Sequence, residues 1–384
     1  MKRFREISVI VVIFLFVFSA MAYGETWSTN RRLTHNAGSS AFPAIAVDGS
    51  NIYVVWHDTT PGNFEIYFKK SVDGGTTWSK GRRLTHNAGI SGSPAIAIDG
   101  SNIYVVWNDT TPGNREIYFK KSVDGGTTWS KGGRLTHNAG ISDSPAIAID
   151  GSNIYVVWHD DTPGNPEIYF KKSDDGGATW TAGKRLSYRD GTSWVPDIAV
   201  DGSNIYVVWY DTRDLDRRRG LYFKKSVDGG VTWSPHQAIT NNVGNSAQPA
   251  IAIDGSNIYV VWWDDTPGND EIYFKKSDDG GATWTGEESL TSSTGASFYP
   301  DIAVDGLNIY VAWSDNTPGN TEIYFKKSDD GGITWSANER LTNNAGNSGS
   351  PAIAIGGSNI YVVWHDDTPT PDCPEIYFKK GLIP

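Results

Sequence analysis

Six copies of one eight-residue motif, S-x-D-G-G-x-T-W, constrain the fold of this chain more than any other feature. The first copy runs from Ser71 to Trp78, and each copy lies at the same place in a longer repeated unit. One proline marks each unit, at a spacing of 51 residues in five intervals and 53 in the other. A period near 50 residues is typical of propellers and repeat arrays. The prolines are Pro43, Pro94, Pro145, Pro196, Pro249, Pro300 and Pro351.

Each unit contains four strand-like segments and no long helical pattern. In the second unit the segments are residues 94–98, 103–107, 116–120 and 128–136. The second segment is apolar on both faces, which is typical of a strand in a sheet packed between two others. Seven such units predict an all-β fold, a seven-bladed β-propeller of four-stranded antiparallel blades.

The two ends of the repeat array complement each other. The seventh unit stops near residue 381 before any S-x-D-G-G-x-T-W motif, and residues 25–36 resemble a fourth strand without the first three. We therefore expect the N-terminal strand to complete the last blade and remove two open sheet edges. The alternative is a linear solenoid, but it would leave an incomplete unit with open strand edges at each end. The predicted single domain spans residues 25–384, with repeats near 41–91, 92–142, 143–193, 194–246, 247–297, 298–348, and 349–384 plus 25–40.

Residues 1–24 have the pattern of a secretory signal peptide. Three basic residues lie among the first five, an apolar run covers residues 7–22, and Ala22 and Gly24 suit signal peptidase. An uncleaved anchor is the alternative, but the run is shorter than the roughly 20 residues that span a bilayer. We expect cleavage after Gly24, no membrane span afterwards, and a secreted or cell-surface protein.

The net charge argues against two classes of partner, and the cysteine content excludes an intrachain disulfide. The net charge is −11, and loss of three basic residues and one acidic residue with the leader makes it −13. An acidic protein of this kind is not expected to bind nucleic acid or anionic lipid. Cys373 is the only cysteine, so no intrachain disulfide can form. We expect a monomer stabilised by its core and its closed architecture.

The motif resembles the Asp box of sialidases and related propellers, also called the BNR repeat, and the resemblance covers roughly residues 25–384. It implies a propeller whose Asp boxes lie at outer turns, away from the active face, in a structural role. Glycines permit the tight turn, Ser and Asp can bind turn amides, and Trp can pack between blades. The box aspartates are Asp73, Asp124, Asp175, Asp228, Asp279 and Asp330.

Variation among the repeats is concentrated on the face opposite the Asp boxes. Fourteen of the 16 tryptophans occupy two repeated positions, and the other two, Trp194 and Trp263, fall at variable positions on that face. An exposed aromatic group is a plausible stacking platform for a sugar ring. The alternative is that these rings fill the mouth of the central channel. The predicted ligand-binding residues are Trp194, Tyr210, Trp263, Phe298, Tyr299 and Arg213.

Unit four departs most from the repeat. Residues 187–191 and 211–220 bring up to five arginines near one blade, and arginine suits carboxylate or phosphate recognition. A solvated charge run with internal Asp–Arg pairs is the alternative. The resemblance to sialidases implies an arginine triad, a Tyr nucleophile assisted by Glu, and an Asp acid/base. It also implies an Arg-Ile-Pro motif, which this sequence lacks. The candidate catalytic residues are Tyr210, Asp190, Asp214, Arg189, Arg213 and Arg217.

Metal and cofactor signals are weak. His57, His159 and His365 share one repeat position, but no zinc-ligand spacing appears. The recurrent acids of W-x-D and G-N-x-E, such as Asp58 and Glu65, are expected to pair with the recurrent K-K of the third strand. We expect no metal and no cofactor, although these acids leave weak calcium binding open.

Three functions remain open at this point. The leading one is an exported, sialidase-like propeller that binds a glycan or another extracellular ligand on the face opposite the Asp boxes, through units four to six. The second is a glycoside hydrolase of the exo-α-sialidase type, and the third is a protein-binding surface scaffold.

Overall fold

The computed structural model describes residues 26–188, 191–212, 218–368 and 373–383, and in these ranges the chain consists of strands, turns and loops. Seven antiparallel sheets follow one another along the chain, and in the first six the strands lie in sequence order from the centre outward. The predicted seven-bladed propeller is confirmed. The predicted signal peptide lies outside the described residues. Within them, no helix is long and apolar enough to cross a membrane.

The first strand of each blade lies at the centre of the ring. It runs from the variable face towards the Asp-box face, where a D-G-S-N turn leads into the second strand. First strands of neighbouring blades lie side by side around the axis. The seven first strands are Ser40–Asp48, Ser91–Asp99, Ser142–Asp150, Ser193–Asp201, Ser246–Asp254, Ser297–Asp305 and Ser348–Gly356.

The second strands carry the core. Their central runs, Ile-Tyr-Val-Val-Trp in six blades and Ile-Tyr-Val-Ala-Trp in blade six, are almost completely buried, as expected for strands covered on both faces. Tyr53 and Val55 of blade one, for example, pack with Ile103, Val105 and Trp107 of blade two, so each core cluster joins two blades. The second strands are Asn51–Asp58, Asn102–Asp109, Asn153–Asp160, Asn204–Asp211, Asn257–Asp264, Asn308–Asp315 and Asn359–Asp366.

The third and fourth strands complete each blade towards the outside, with the Asp box between them. The third strands are Glu65–Ser71, Glu116–Ser122, Glu167–Ser173, Gly220–Ser226, Glu271–Ser277, Glu322–Ser328 and Glu375–Leu382. The short fourth strands of blades one to six are Arg82–Arg83, Gly133–Arg134, Lys184–Arg185, Gln237–Ala238, Glu288–Ser289 and Glu339–Arg340.

The N-terminal segment closes the ring, as predicted. Thr26–Trp27 and Arg31–Arg32 both pair with the last strand, Glu375–Leu382, in place of a fourth strand of blade seven. Trp27 contacts Phe325 of blade six edge to face, with ring centroids 5.0 Å apart. Closure therefore provides both main-chain pairing and an aromatic contact to the neighbouring blade.

Candidate functional site at the channel mouth

Each Asp-box carboxylate is bound within its own turn. Asp73 accepts hydrogen bonds from the main-chain N–H and hydroxyl of Thr77 and from the Ser71 hydroxyl, at 2.6–2.8 Å. These bonds lower the pKa of Asp73 to about 2. Trp78 packs edge to face on Phe378 of the preceding blade. The boxes therefore hold their turns and join blades, which agrees with a structural role.

The recurrent acids of the repeat have different partners from those we expected. Asp58 accepts hydrogen bonds from Asn36, Ser40 and Trp56, and Glu65 is paired with Arg83 of the fourth strand at 2.6 Å. The paired K-K lysines reach main-chain carbonyls of adjacent blades instead. Lys69 and Lys70 donate to the carbonyls of Leu33 and Gly125. The predicted acid–lysine pairing is wrong, because the fourth-strand arginine lies closer to the buried Glu.

Blade four lacks both members of this Glu–Arg pair. Gly220 stands at the position of Glu65, and Ala238 stands at that of Arg83. Joint replacement leaves neither group without its partner, whereas blade five keeps the acid as Glu271 beside Ser289 and satisfies it through donors from Thr291 and Ser293. Blade four therefore differs from the other blades in its third and fourth strands as well as in its loops.

A bulge at the inner edge of every blade directs one side chain into the channel mouth. The residue before each repeat proline has positive φ, between 46° and 53°, at all seven positions. The pairing of the first and second strands shifts register at the same place, as between Ala41 and Ala44. The seven positive-φ residues line the mouth together with the prolines. They are Phe42, Ser93, Ser144, Val195, Gln248, Tyr299 and Ser350.

The two unrepeated tryptophans lie on the predicted face and are half-buried there. Trp194 packs edge to face against His159 of blade three, with ring centroids 4.6 Å apart. Trp263 donates from Nε1 to Gln248 Oε1 at 2.9 Å. Both rings thus serve packing within or between blades while keeping part of their surface open. Their role in binding a ligand stays a prediction.

The other predicted aromatic residues differ in exposure. Tyr210 is half-buried beside the Arg219 guanidinium, 5.5 Å from its ring centroid, and burial raises the pKa of Tyr210. Phe298 is half-buried and contacts Tyr299 edge to face. Tyr299 is 38% exposed and lines the channel mouth. Tyr299 is therefore the predicted binding residue that is best placed to contact a ligand.

Several predicted site residues lie outside the described residues. They belong to the two divergent segments of unit four. They are Arg189, Asp190, Arg213, Asp214 and Arg217, and their part in a site remains a prediction.

Phe42 is a site residue that the sequence analysis did not select. It is 47% exposed and lines the mouth, supported by the rings of His57 and His365 with centroids 5.3 and 5.7 Å away. Burial lowers the pKa of both histidines to about 4, so they are neutral near pH 7. The signal was present in the sequence, since Phe42 and Tyr299 both directly precede a repeat proline.

Two carboxylates lie below the mouth, and they too were missed. Asp197 and Asp301 follow their repeat prolines, where the other five blades have alanine. Asp197 accepts hydrogen bonds from the N–H groups of Ile198 and of Ile251 in the next blade, both at 2.9 Å. Asp301 accepts from Ile302 and Ile353 in the same way. Each carboxylate therefore links two first strands across the channel wall.

The pKa values of these two carboxyl groups are raised by burial, to about 6 for Asp197 and about 7 for Asp301. Negative charge on Asp197 adds to the rise in the pKa of Asp301. Perturbed pKa values in a cavity are a recognised mark of functional sites. Here the arrangement offers hydrogen-bond acceptors and a proton donor at the base of a cavity of about 460 Å³.

The sequence matches models of known repeat families. The BNR repeat-like domain model matches residues 102–311, and the BNR/Asp-box repeat model matches residues 326–337. A sialidase of Bacteroides fragilis is 26% identical over 284 residues, which cover 60% of this chain and 50% of that protein. Xyloglucanase Xgh74A of Acetivibrio thermocellus is 27% identical over 286 residues, 64% of this chain and 32% of that protein. The chain spans half or less of these relatives.

Solved structures share the fold at low sequence identity. The Hadza microbial sialidase Hz136 superposes with a TM-score of 0.55 at 15% identity, covering 88% of this chain and 74% of that one. The α-L-arabinofuranosidase Arb93A of Fusarium graminearum gives 0.55 at 14% identity, covering 76% of this chain and 93% of that one. At such identities the likeness establishes the propeller fold alone.

Proposed function

Since this chain belongs to the BNR repeat-like domain family, we propose that it is an exported propeller that binds a glycan on the face opposite its Asp boxes. Proteins whose names denote glycan-cleaving enzymes are among its relatives and its structural neighbours. Export is proposed from the leader-like residues 1–24. Mass spectrometry of the secreted product tests it, with Glu25 as the expected first residue.

The observation that carries the proposal is the cavity at the channel mouth, with exposed aromatic rings at its rim. Sugar rings present apolar C–H faces that pack on aromatic rings, and their hydroxyl groups need polar partners beside them. Phe42 and Tyr299 supply exposed rings, and Asp197 and Asp301 supply acceptors. Trp194, Trp263 and the unit-four loop would extend the contact surface over blades four and five.

A glycan array with the mature protein, residues 25–384, tests the function. The Trp194→Ala/Trp263→Ala double variant is measured beside it. We expect binding by the parent and weaker binding by the variant, because both rings lie on the proposed face. Binding that the double variant keeps would move the site away from blades four and five. Absence of any glycan binding would contradict the function and favour a protein partner, which replacement of the loop 211–220 would then probe.

Glycoside hydrolysis is a second candidate, favoured by the two channel carboxylates. Glycosidases commonly use a pair of Asp or Glu residues, one of which must hold its proton near neutral pH. The raised pKa values of Asp197 and Asp301 meet that need. Against it, every carboxylate oxygen of the pair already accepts a main-chain N–H. Release of reducing sugar from a bound glycan, abolished by Asp301→Asn, would establish the enzyme.

A further inference from the structure

The channel mouth is a formed cavity whose wall comes from the same short segment of all seven blades. Each blade contributes its positive-φ residue and the proline that follows, and the cavity volume is about 460 Å³. That volume falls in the range of about 300–1,000 Å³ typical of small-molecule sites. Because the backbone repeats sevenfold, the character of the cavity depends on the few side chains that differ between blades.

Aromatic rings occur at two of the seven positive-φ positions. Phe42 belongs to blade one and Tyr299 to blade six, so only blade seven, with the small Ser350, lies between them. Phe42 is supported by the His57 and His365 rings, and Tyr299 by Phe298. Each ring is thus held by its neighbours while a large fraction of its surface remains open. The two rings therefore flank the Ser350 position at the rim.

The carboxylates occur at two of seven equivalent positions one residue beyond the prolines. Alanine at the other five shows that a blade forms without a carboxylate there. Asp197 and Asp301 accept one main-chain N–H at each oxygen. A carboxylate oxygen has two lone pairs, so each group retains acceptor capacity on the channel side. Both aspartates are half-buried and line the cavity.

The polar groups of this cavity are unsuited to an anion. Among the described residues that line it, none is a lysine, an arginine or a histidine, and the two charged groups are both acidic. A ligand carboxylate would meet two acidic groups, and the described residues of the cavity wall offer no cationic group to neutralise it. A ligand with only hydroxyl groups would instead donate to the free lone pairs of Asp197 and Asp301.

We propose that the channel mouth takes an uncharged sugar end, stacked between Phe42 and Tyr299 with its hydroxyl groups donating to Asp197 and Asp301, and discriminates against sialylated ends. This inference rests on the proposed glycan-binding function and names its ligand class. It departs from what the sialidase relatives suggest by name, since their chemistry implies an acidic sugar.

Pairs of oligosaccharides that differ only by a terminal sialic acid test the proposal, for example lactose and 3′-sialyllactose within a wider set of such pairs. Binding is measured at pH 7 by calorimetry or on an array. We expect the uncharged member to bind about tenfold or more tightly than its sialylated partner, a difference of about 1.4 kcal/mol. Tighter binding of sialylated members would overturn the inference and leave the glycan-binding function intact.

Two double variants locate the site, each using residues that occur at the same position in other blades. Phe42→Ser/Tyr299→Ser copies blades two, three and seven, and it should weaken binding of the uncharged sugar about tenfold or more. Asp197→Ala/Asp301→Ala copies the other five blades. It should weaken binding of the uncharged sugar and reduce the difference in affinity between the uncharged and the sialylated sugar. Unchanged binding by the Phe42/Tyr299 variant would contradict the proposed position.

Leu307→Ser is the matched control, because Leu307 is 56% exposed on the Asp-box face where the other six blades have serine. It should bind like the parent. Thermal unfolding and circular dichroism of each variant establish that the propeller is intact before binding is compared. If no uncharged or sialylated glycan binds the intact parent, the proposed function fails together with this inference, and that outcome differs from the loss of selectivity alone.

Discussion

The Asp-box face and the channel mouth use the same repeated backbone in opposite ways. On the Asp-box face, backbone and side chains repeat together, so that Asp73, Asp124 and their equivalents accept the same hydrogen bonds in each turn. At the mouth the backbone repeats closely, with φ between 46° and 53° at seven positions, while the side chains there range from serine to phenylalanine. Repeated side chains build the ring, and a repeated backbone with varied side chains provides a frame for recognition.

The largest effect should come from breaking the closure of the ring. Deletion of residues up to 34 removes both strands that pair with Glu375–Leu382 and the contact between Trp27 and Phe325. We expect the free energy of unfolding to fall by about 5 kcal/mol or more, with aggregation through the exposed strand edge. Urea unfolding and size-exclusion chromatography measure this. A control that begins at Glu25 should be stable, and equal stability of the two proteins would contradict closure.

The next effect should come from splitting the buried Glu–Arg pair. Glu65 is fully buried, and its partner Arg83 is 28% exposed. Glu65→Gly alone leaves Arg83 without its carboxylate and should cost about 2 kcal/mol of unfolding free energy. Glu65→Gly/Arg83→Ala copies blade four and should cost less than the sum of the single changes. Additive costs in this double-mutant cycle would show that the pair does not act as a unit. Arg82→Ala, at an exposed neighbour, is the control.

The pH dependence of stability should differ between the carboxylates of the channel mouth and those of the Asp boxes. Burial raises the pKa of Asp197 and Asp301 to about 6 and 7, so the unfolded chain releases these protons at lower pH than the native protein. Stability should therefore fall as pH rises from about 4 to 7, by about 2 kcal/mol after allowance for solvent in the channel. Asp197→Ala/Asp301→Ala should flatten this slope. Melting temperatures measured from pH 4 to 8 test it, and parallel curves would contradict the raised pKa values.

The Asp-box carboxylates should change stability with pH in the opposite direction, and in a lower pH range. Hydrogen bonds lower the pKa of Asp73 to about 2, so its contribution is present above the unfolded pKa near 4 and is lost as pH falls towards 2. Asp73→Ala should lower the melting temperature only slightly, since one exposed turn among six is affected, and glycan binding should not change. A loss of binding by this variant, with the fold intact, would argue against a purely structural box.

Much of the fold could be predicted from the sequence, because the prolines, the Asp boxes and the unpaired N-terminal strand are periodic signals. The site was harder to predict. Phe42 escaped notice because the bulge before Pro43 changes the alternation of side chains, so strand periodicity does not tell which of Ala41 and Phe42 faces the channel. The partner of Glu65 was misassigned because the lysines are closer in sequence, although the joint loss of both partners in blade four was visible.

Hydrogen–deuterium exchange with a bound glycan tests the central claim most directly, since it reports both faces in one experiment. We predict added protection in the segments around the repeat prolines, residues 42–45, 195–198, 248–251, 299–302 and 350–353, with none in the Asp-box turns. Exchange of the first-strand amides should slow where Asp197 and Asp301 accept them. Protection confined to the Asp-box turns, with the channel mouth unchanged, would contradict the assignment of recognition to the varied face.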